Sequence, residues 1–310
     1  VKRAIFRQLK KTYLLEGISS ALLFLFLGPV GGGALLFSAQ IPLFMIGFKG
    51  GFQSVPKPLV LAMFLVFGLG GINQFIFYCI LVALPSLVLI KLGLQSKKVQ
   101  KTVQWYSAGR LLYALMILGL LMTTAMVFIY STDPQGDGLT RLMQLPKDFG
   151  SDKNLQTVQH AIDLLIPFIP SMMGVTLILL TILSCVWAQN LTRLTGKMKR
   201  PPIAMTEIYL PWNTWYILTG VGLGWALIPK DWGLLHSLFS NGTIVVLTAF
   251  FFQGMSIVHI YGKKLKNPQL FLVLFYFFVV MFTWPILILI MFGIIEPWAL
   301  LREKIKSNKE

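Results

Sequence analysis

Acidic residues, cysteine and histidine are all scarce in this chain. Its 310 residues include 11 Asp+Glu, two Cys and three His, and charged side chains make up only 12%. An average soluble domain is about one-quarter charged. With hydrophobic residues at 56% and a mean hydropathy of +0.74, the composition excludes a soluble enzyme and a disordered chain. Two cysteines exclude a disulfide scaffold. Cys79 and Cys185 both fall in apolar stretches, where packing is their expected role. His160, His236 and His259 are dispersed, so no clustered metal ligands arise. No GxxxxGK[ST], HExxH or GxSxG pattern occurs, which removes ATP hydrolysis by a phosphate loop and two large classes of hydrolase. Neither enzyme activity nor a cofactor is expected.

Charge-free sequence, by contrast, is abundant. Seven runs carry no ionisable side chain other than neutral His, Cys or Tyr: 17–48, 58–90, 111–132, 164–192, 208–229, 232–262 and 267–295. Each exceeds the roughly 20 residues that cross a bilayer core as a helix, and helices satisfy their own backbone hydrogen bonds in lipid. The expected fold class is all-α, a polytopic membrane helical bundle spanning residues 1–310 as a single membrane domain.

The first 90 residues are expected to hold short, broken helices. Run 17–48 contains Gly28-Pro29-Val30-Gly31-Gly32-Gly33, and run 58–90 contains Gly68-Leu69-Gly70-Gly71. Each run is either one kinked span or a hairpin of two short helices. The linker 49–57, with Lys49 and Lys57, favours hairpins, because basic linkers prefer the cytoplasmic side. Trp284-Pro285 offers a similar break in the last run. Eight or nine helical membrane segments are expected.

The basic excess sets the orientation. Lys and Arg total 27, for a formal net charge of +16. With the N-terminus 1–16 inside, segments 49–57, 91–110, 193–207 and 263–266 also fall inside, and nineteen Lys/Arg lie there with Glu16 and Glu207. The outer segments 131–163 and 230–231 hold four basic residues and six Asp. This asymmetry is the positive-inside signature of a multi-pass membrane protein with a cytoplasmic N-terminus, rather than the footprint of a nucleic-acid partner. The extracytoplasmic loop 131–163 is expected to carry one surface helix, Asn154 to Asp163, and the side of the polar tail 302–310 stays open. No cleavable signal peptide is expected, and the basic start leads into an uncleaved first helix.

Uncharged polar side chains within the apolar runs are the candidates for binding. Gln40, Asn73, Gln74, Asn190, Asn241, Gln253 and His259 either fasten helices together or line a cavity. Asn73 and Gln74 follow a glycine-rich break, where freed backbone groups also face a ligand. The ligand-binding set expected from sequence is Asn73, Gln74, Asn241, Gln253 and His259. Gly28/Gly32, Gly47/Gly51 and Gly220/Gly224 are small-residue pairs suited to close helix packing. Arg110 reads as a snorkelling cation, with a lipid-phosphate contact as the alternative.

Several phrases resemble landmarks of the YybS-like family of bacterial membrane proteins of unknown function. They are Gly28-Pro29-Val30, Ile41-Pro42-Leu43-Phe44-Met45-Ile46-Gly47-Phe48, Leu84-Pro85-Ser86, Trp105-Tyr106-Ser107-Ala108-Gly109-Arg110 and Leu210-Pro211-Trp212. The stretch Gln253-Gly254-Met255-Ser256-Ile257-Val258-His259 is similar to the family's GLAV-x-H phrase, with Met255 and Ser256 in place of Leu and Ala. The resemblance implies a fold similar to the S-components of energy-coupling-factor transporters and to the rod-shape protein MreD. In S-components a separate ATPase module supplies the energy and the ligand sits toward the outer face.

Two functions follow as expectations. One is an S-component-like subunit that binds a small molecule for uptake and depends on a partner ATPase and coupling module. The other is a scaffold of a cell-envelope complex without transport activity. Membrane lipids are partners in either case, and the basic loops 91–110 and 193–207 either bind anionic lipid or a cytosolic protein or only set topology. A membrane enzyme acting on lipid is disfavoured, because no acid–base or metal constellation is present.

Overall fold

The computed structural model describes residues 2–30, 36–99, 102–132, 164–196 and 198–307. The expected surface helix 154–163, His160 and the glycines 31–33 lie outside the described residues. In chain order the helices are α1 (Lys2–Val30), α2 (Phe37–Gly50), α3 (Pro56–Tyr78), α4 (Leu84–Gly93), α5 (Ala108–Thr132), α6 (Ile169–Thr195), α7 (Asn213–Leu227), α8 (Gly233–Gly262), α9 (Pro268–Met281), α10 (Trp284–Ala299) and α11 (Leu301–Ser307). A single π-helical segment, Cys79–Ala83, joins α3 to α4. An antiparallel hairpin, β1 (Ser96–Val99) and β2 (Thr102–Trp105), pairs Ser96 with Trp105. Proline stands in the first turn of α3, α4, α9 and α10, where its missing N–H has no helical partner to lose.

The chain is an α-helical membrane protein. Among the described residues four helical stretches are long and apolar enough to cross a bilayer: Phe52–Gly93, Ala108–Thr132, Ile166–Thr195 and Lys230–Gly262. Helices α9 and α10, bent by 115° at their junction, add a fifth if they form one span. Among the described residues this is fewer than the eight or nine segments expected from charge-free runs. A run without charge is not a helix of the same length. Run 208–229 includes non-helical residues around Pro211 and Pro229, which leaves α7 at 15 residues, about 22 Å against a core of about 30 Å.

The longest stretch is itself divided. Forty-two residues of straight helix would extend about 63 Å, roughly twice the bilayer core. Gly71, at φ 76° and ψ −176°, interrupts α3. The rings of Phe67 and Phe75 then meet edge to face at 5.7 Å, where a straight helix would hold positions eight residues apart at about 12 Å. The break expected within 58–90 is therefore a chain reversal at Gly71.

The polypeptide divides into two compact units, residues 1–115 with 177–209 and residues 116–176 with 210–310. In the first, Ser20 Oγ donates to the Ala39 carbonyl at 2.6 Å and shares a 2.8 Å hydrogen bond with the Tyr78 hydroxyl. A Cβ on Gly17 would collide with the Pro58 backbone, so α1 and α3 meet main chain to main chain there. Gln40 Nε2 donates to the Leu81 carbonyl at 2.6 Å. That carbonyl lies in the π-helical turn just before Pro85, whose missing N–H leaves the turn short of a donor. A side chain on α2 thus repairs the helix that a proline broke.

The second unit uses the same device. Gly293 loses its helical partner to Pro297, and Gln253 Nε2 from α8 donates to the Gly293 carbonyl at 2.7 Å. Gln253 Oε1 accepts from Leu210 N at 2.7 Å. Asn241 fills another missing rung, accepting from Ser171 N at 2.9 Å and donating to the Pro167 carbonyl at 3.0 Å. Those two backbone groups flank the start of α6. Glu296, buried in α10, pairs with Arg302 Nε at 3.0 Å.

Candidate functional site

The residues expected to bind a ligand are divided between the two units, Asn73 and Gln74 in the first and Asn241, Gln253 and His259 in the second. Asn73 and Gln74 are exposed, just beyond the reversal at Gly71. Asn241, Gln253 and His259 all lie on α8. Twelve residues of helix separate the first two, about 18 Å along the axis. Asn241 and Gln253 are fully engaged by backbone groups of neighbouring segments. His259 Nε2 meets the Tyr276 hydroxyl at 2.7 Å, joining α8 to α9. These three act as interhelical fasteners.

A cavity lies elsewhere, within the first unit. It is partly open, holds about 70 Å³ and is walled by α2, α4, the start of α5, α6 and the segment 203–208. Its lining is almost wholly apolar, with Phe44, Leu112, Leu115 and Ile182 contributing side chains. Gln189 is its main polar group. Gln189 Oε1 accepts from Ile203 N at 2.5 Å, and Nε2 reaches Cys185 Sγ at 3.8 Å. The amide therefore holds the 203–208 wall against α6.

Three cations stand at one end of this cavity. Arg200 is only 4% exposed. It donates through Nη1 to the Gly93 carbonyl at 2.5 Å and through Nη2 to the Tyr106 carbonyl at 2.9 Å. Its guanidinium lies 5.9 Å from the centre of the Trp105 ring. Lys199, exposed, donates to the Gly50 carbonyl at 2.8 Å while its own N–H bonds the Phe48 carbonyl at 2.9 Å. Arg110, also exposed, lies 5.8 Å from the Tyr106 ring centre. Phe48, Gly93 and Ala108 line the cavity, so the cations are fixed beside that end of it.

Local physics explains the positions. Gly50 and Gly93 end α2 and α4, and helix C-termini carry unpaired carbonyls and partial negative charge that basic side chains cap. Burial pushes the Arg200 pKa down, opposed by Cys185 and Glu207, yet a guanidinium stays charged at neutral pH. Among the described residues Arg200, Lys199 and Arg110 form no ion pair with a carboxylate. No group of three metal-ligating side chains occurs among the described residues.

Sequence reasoning counts Arg200 and Lys199 among the topology-setting cations and does not single out Gln189. Nothing in the run Lys199-Arg200-Pro201-Pro202 signals that one cation is buried and its neighbour is not. Among the small-residue pairs, Gly224 packs on Phe239 and Gly47 on Ile90, while Gly220 has open space around it. The closest backbone approaches come from Gly109 against Tyr209, Gly254 against Leu289 and Gly293 against Phe250.

Residues 17–296 match the family model described as Predicted membrane protein (DUF2232), and the chain belongs to that family. No curated protein and no solved structure matches the chain.

Proposed function

We propose that this member of a membrane-protein family is an S-component-like binding subunit of a small-molecule uptake system in the bacterial cytoplasmic membrane, energised by a separate ATPase and coupling module. The observation that supports this reading is the cavity in the first unit, framed by α2, α4, α5 and α6 and closed on one side by a segment that Gln189 holds in place. Apolar pockets with few, well-placed polar groups are the usual form of a ligand site, and this one, partly open and about 70 Å³, takes part of a ligand rather than the whole of it. The missing phosphate loop agrees with an external energy source. The narrower YybS-like kinship and the likeness to S-components and MreD belong to the same reading. So does the cytoplasmic N-terminus, with which the cation-bearing end of the cavity, formed by the basic segments 91–110 and 193–207, would face the cytoplasm. That placement departs from the outward-facing ligand of S-components, and suits a ligand released inward or taken from the membrane.

The test is thermal unfolding of the purified protein against a panel of vitamins, other small metabolites and amphiphiles, with Leu112→Trp as the filled-cavity variant. A ligand at about 100 times its Kd stabilises by about 2.7 kcal/mol. The expected result is a stabilising compound that has no effect on Leu112→Trp. A panel without effect, together with protein that carries no small molecule through purification, overturns the reading.

The scaffold reading rests on one feature, the exposed hairpin β1–β2 with Lys97 and Lys98 on its surface. Crosslinking from Lys97 and Lys98 in intact cells that returns an envelope-complex protein would favour it over uptake.

A further inference from the structure

One end of the cavity and its interior have opposite chemistry, and the two together define an amphiphile. We propose that the cavity takes part of an acyl chain from an anionic membrane phospholipid, whose phosphate is held at that end by Arg110, Lys199 and Arg200. This assignment rests on the reading of the cavity as a ligand site and names the class of ligand.

Size and lining point to a chain. About 70 Å³ is far below the roughly 300–1,000 Å³ of a pocket for a whole drug-sized molecule. It suits a few methylene groups continuing out of a partly open cavity. Phe44, Leu112, Leu115 and Ile182 offer such a chain only dispersion contacts, with no donor or acceptor to satisfy.

Charge selects the head. Arg200 is buried and spends two donors on the Gly93 and Tyr106 carbonyls, leaving further N–H groups in its fork. Lys199 and Arg110 are exposed. Their anchors, the carbonyls of Phe48 and Gly50 and the ring of Tyr106, fix them before any ligand arrives. Pre-ordered donors cost less to bring onto an anion. Guanidinium groups match phosphate oxygens in a bidentate way, and a lysine adds a point charge. Trp105 and Tyr106 flank the same place, and amphipathic aromatic rings favour the headgroup level of a membrane. Glu207, the acid that acts on Arg200, forms no ion pair with it.

The experiment uses the full-length protein in non-ionic detergent and measures retained lipid by native mass spectrometry. The probes are phosphatidylglycerol, phosphatidylcholine with the same chains, and inorganic phosphate as competitor. Phosphatidylglycerol is expected to be retained at least about tenfold better than phosphatidylcholine, a difference within the range of affinities that one or two charge contacts produce. Replacing both exposed cations, Arg110→Gln with Lys199→Gln, is expected to bring the two lipids to the same level. Ala204→Phe, placed on the half-buried 203–208 wall, is expected to reduce retention of phosphatidylglycerol as Leu112→Trp does, so the result does not depend on one variant folding.

Equal retention of the two lipids by the wild type overturns the proposal, as does an unchanged preference in the double cation variant. Displacement of phosphatidylglycerol by inorganic phosphate overturns it too, since the site would then read the phosphate alone. A neutral small molecule that stabilises the wild type and not Leu112→Trp, with no lipid preference, overturns the lipid assignment and leaves the cavity as a ligand site. Absence of any ligand in the cavity overturns both.

Discussion

Gln253 Nε2 lies 2.7 Å from the carbonyl oxygen of Gly293, the acceptor that Pro297 leaves without a helical donor. The same amide accepts from Leu210 N through its oxygen. Gln253→Leu keeps the bulk and removes both contacts, so one buried donor and one buried acceptor lose their partners. Each unsatisfied group costs about 1–3 kcal/mol. A loss of about 2–6 kcal/mol is expected in thermal or denaturant unfolding, and a shift near zero would show that water or another side chain replaces the amide.

Gly254 and Gly293 allow α8 and α10 to touch. A Cβ on Gly254 would strike the Leu289 carbonyl, and one on Gly293 the Phe250 carbonyl. Backbone is not a flexible neighbour, so Gly293→Ala must separate the helices and is expected to cost more than about 2 kcal/mol, in the range of overpacked cores. Gly220→Ala, where nothing lies within 4 Å, is expected to be neutral or stabilising by up to about 1 kcal/mol. Similar melting temperatures for the two variants would contradict the close approach.

Gly71 holds a conformation, φ 76° with ψ −176°, that only glycine adopts readily. Gly71→Ala is expected to cost about 1–3 kcal/mol and to loosen the turn that brings Phe67 to Phe75. A spin-label pair placed at positions 63 and 75 would report it as a longer, broader distance distribution. Gly68→Ala, with open space and ordinary backbone, serves as control.

Arg200 bridges the end of α4 to the residue that follows the hairpin. Arg200→Gln removes the charge and shortens the reach, so the Gly93 and Tyr106 carbonyls lose charge-assisted bonds that contribute about 1.5–3 kcal/mol each. Trp105 loses its cationic neighbour. A lower melting temperature together with a red-shifted tryptophan emission is expected. Arg200→Lys is expected to restore little of it, because an ammonium lacks the planar fork.

The membrane class and the broken early helices were legible in the residues. Charge-free runs locate apolar segments whatever the tertiary structure, and Gly68–Gly71 marks the reversal that Gly71 makes. Span length was less legible, since Pro211 and Pro229 trim α7 inside a charge-free run and the bend between α9 and α10 splits another. The polar residues in the spans were visible, but their roles were not. Gln40 serves Leu81 and Gln253 serves Gly293, each about forty positions away, and nothing local tells a fastener from a ligand contact.

Composition and the distribution of charge determined by themselves that this is a helical membrane protein. Those are sums over residues, and lipid imposes them segment by segment. Which helix break each amide repairs, where the cavity lies and that Arg200 is the cation buried beside it were decided only in the tertiary structure. They depend on contacts between segments far apart in the chain, and a hydrogen bond or a void exists only once both of its sides have been brought together.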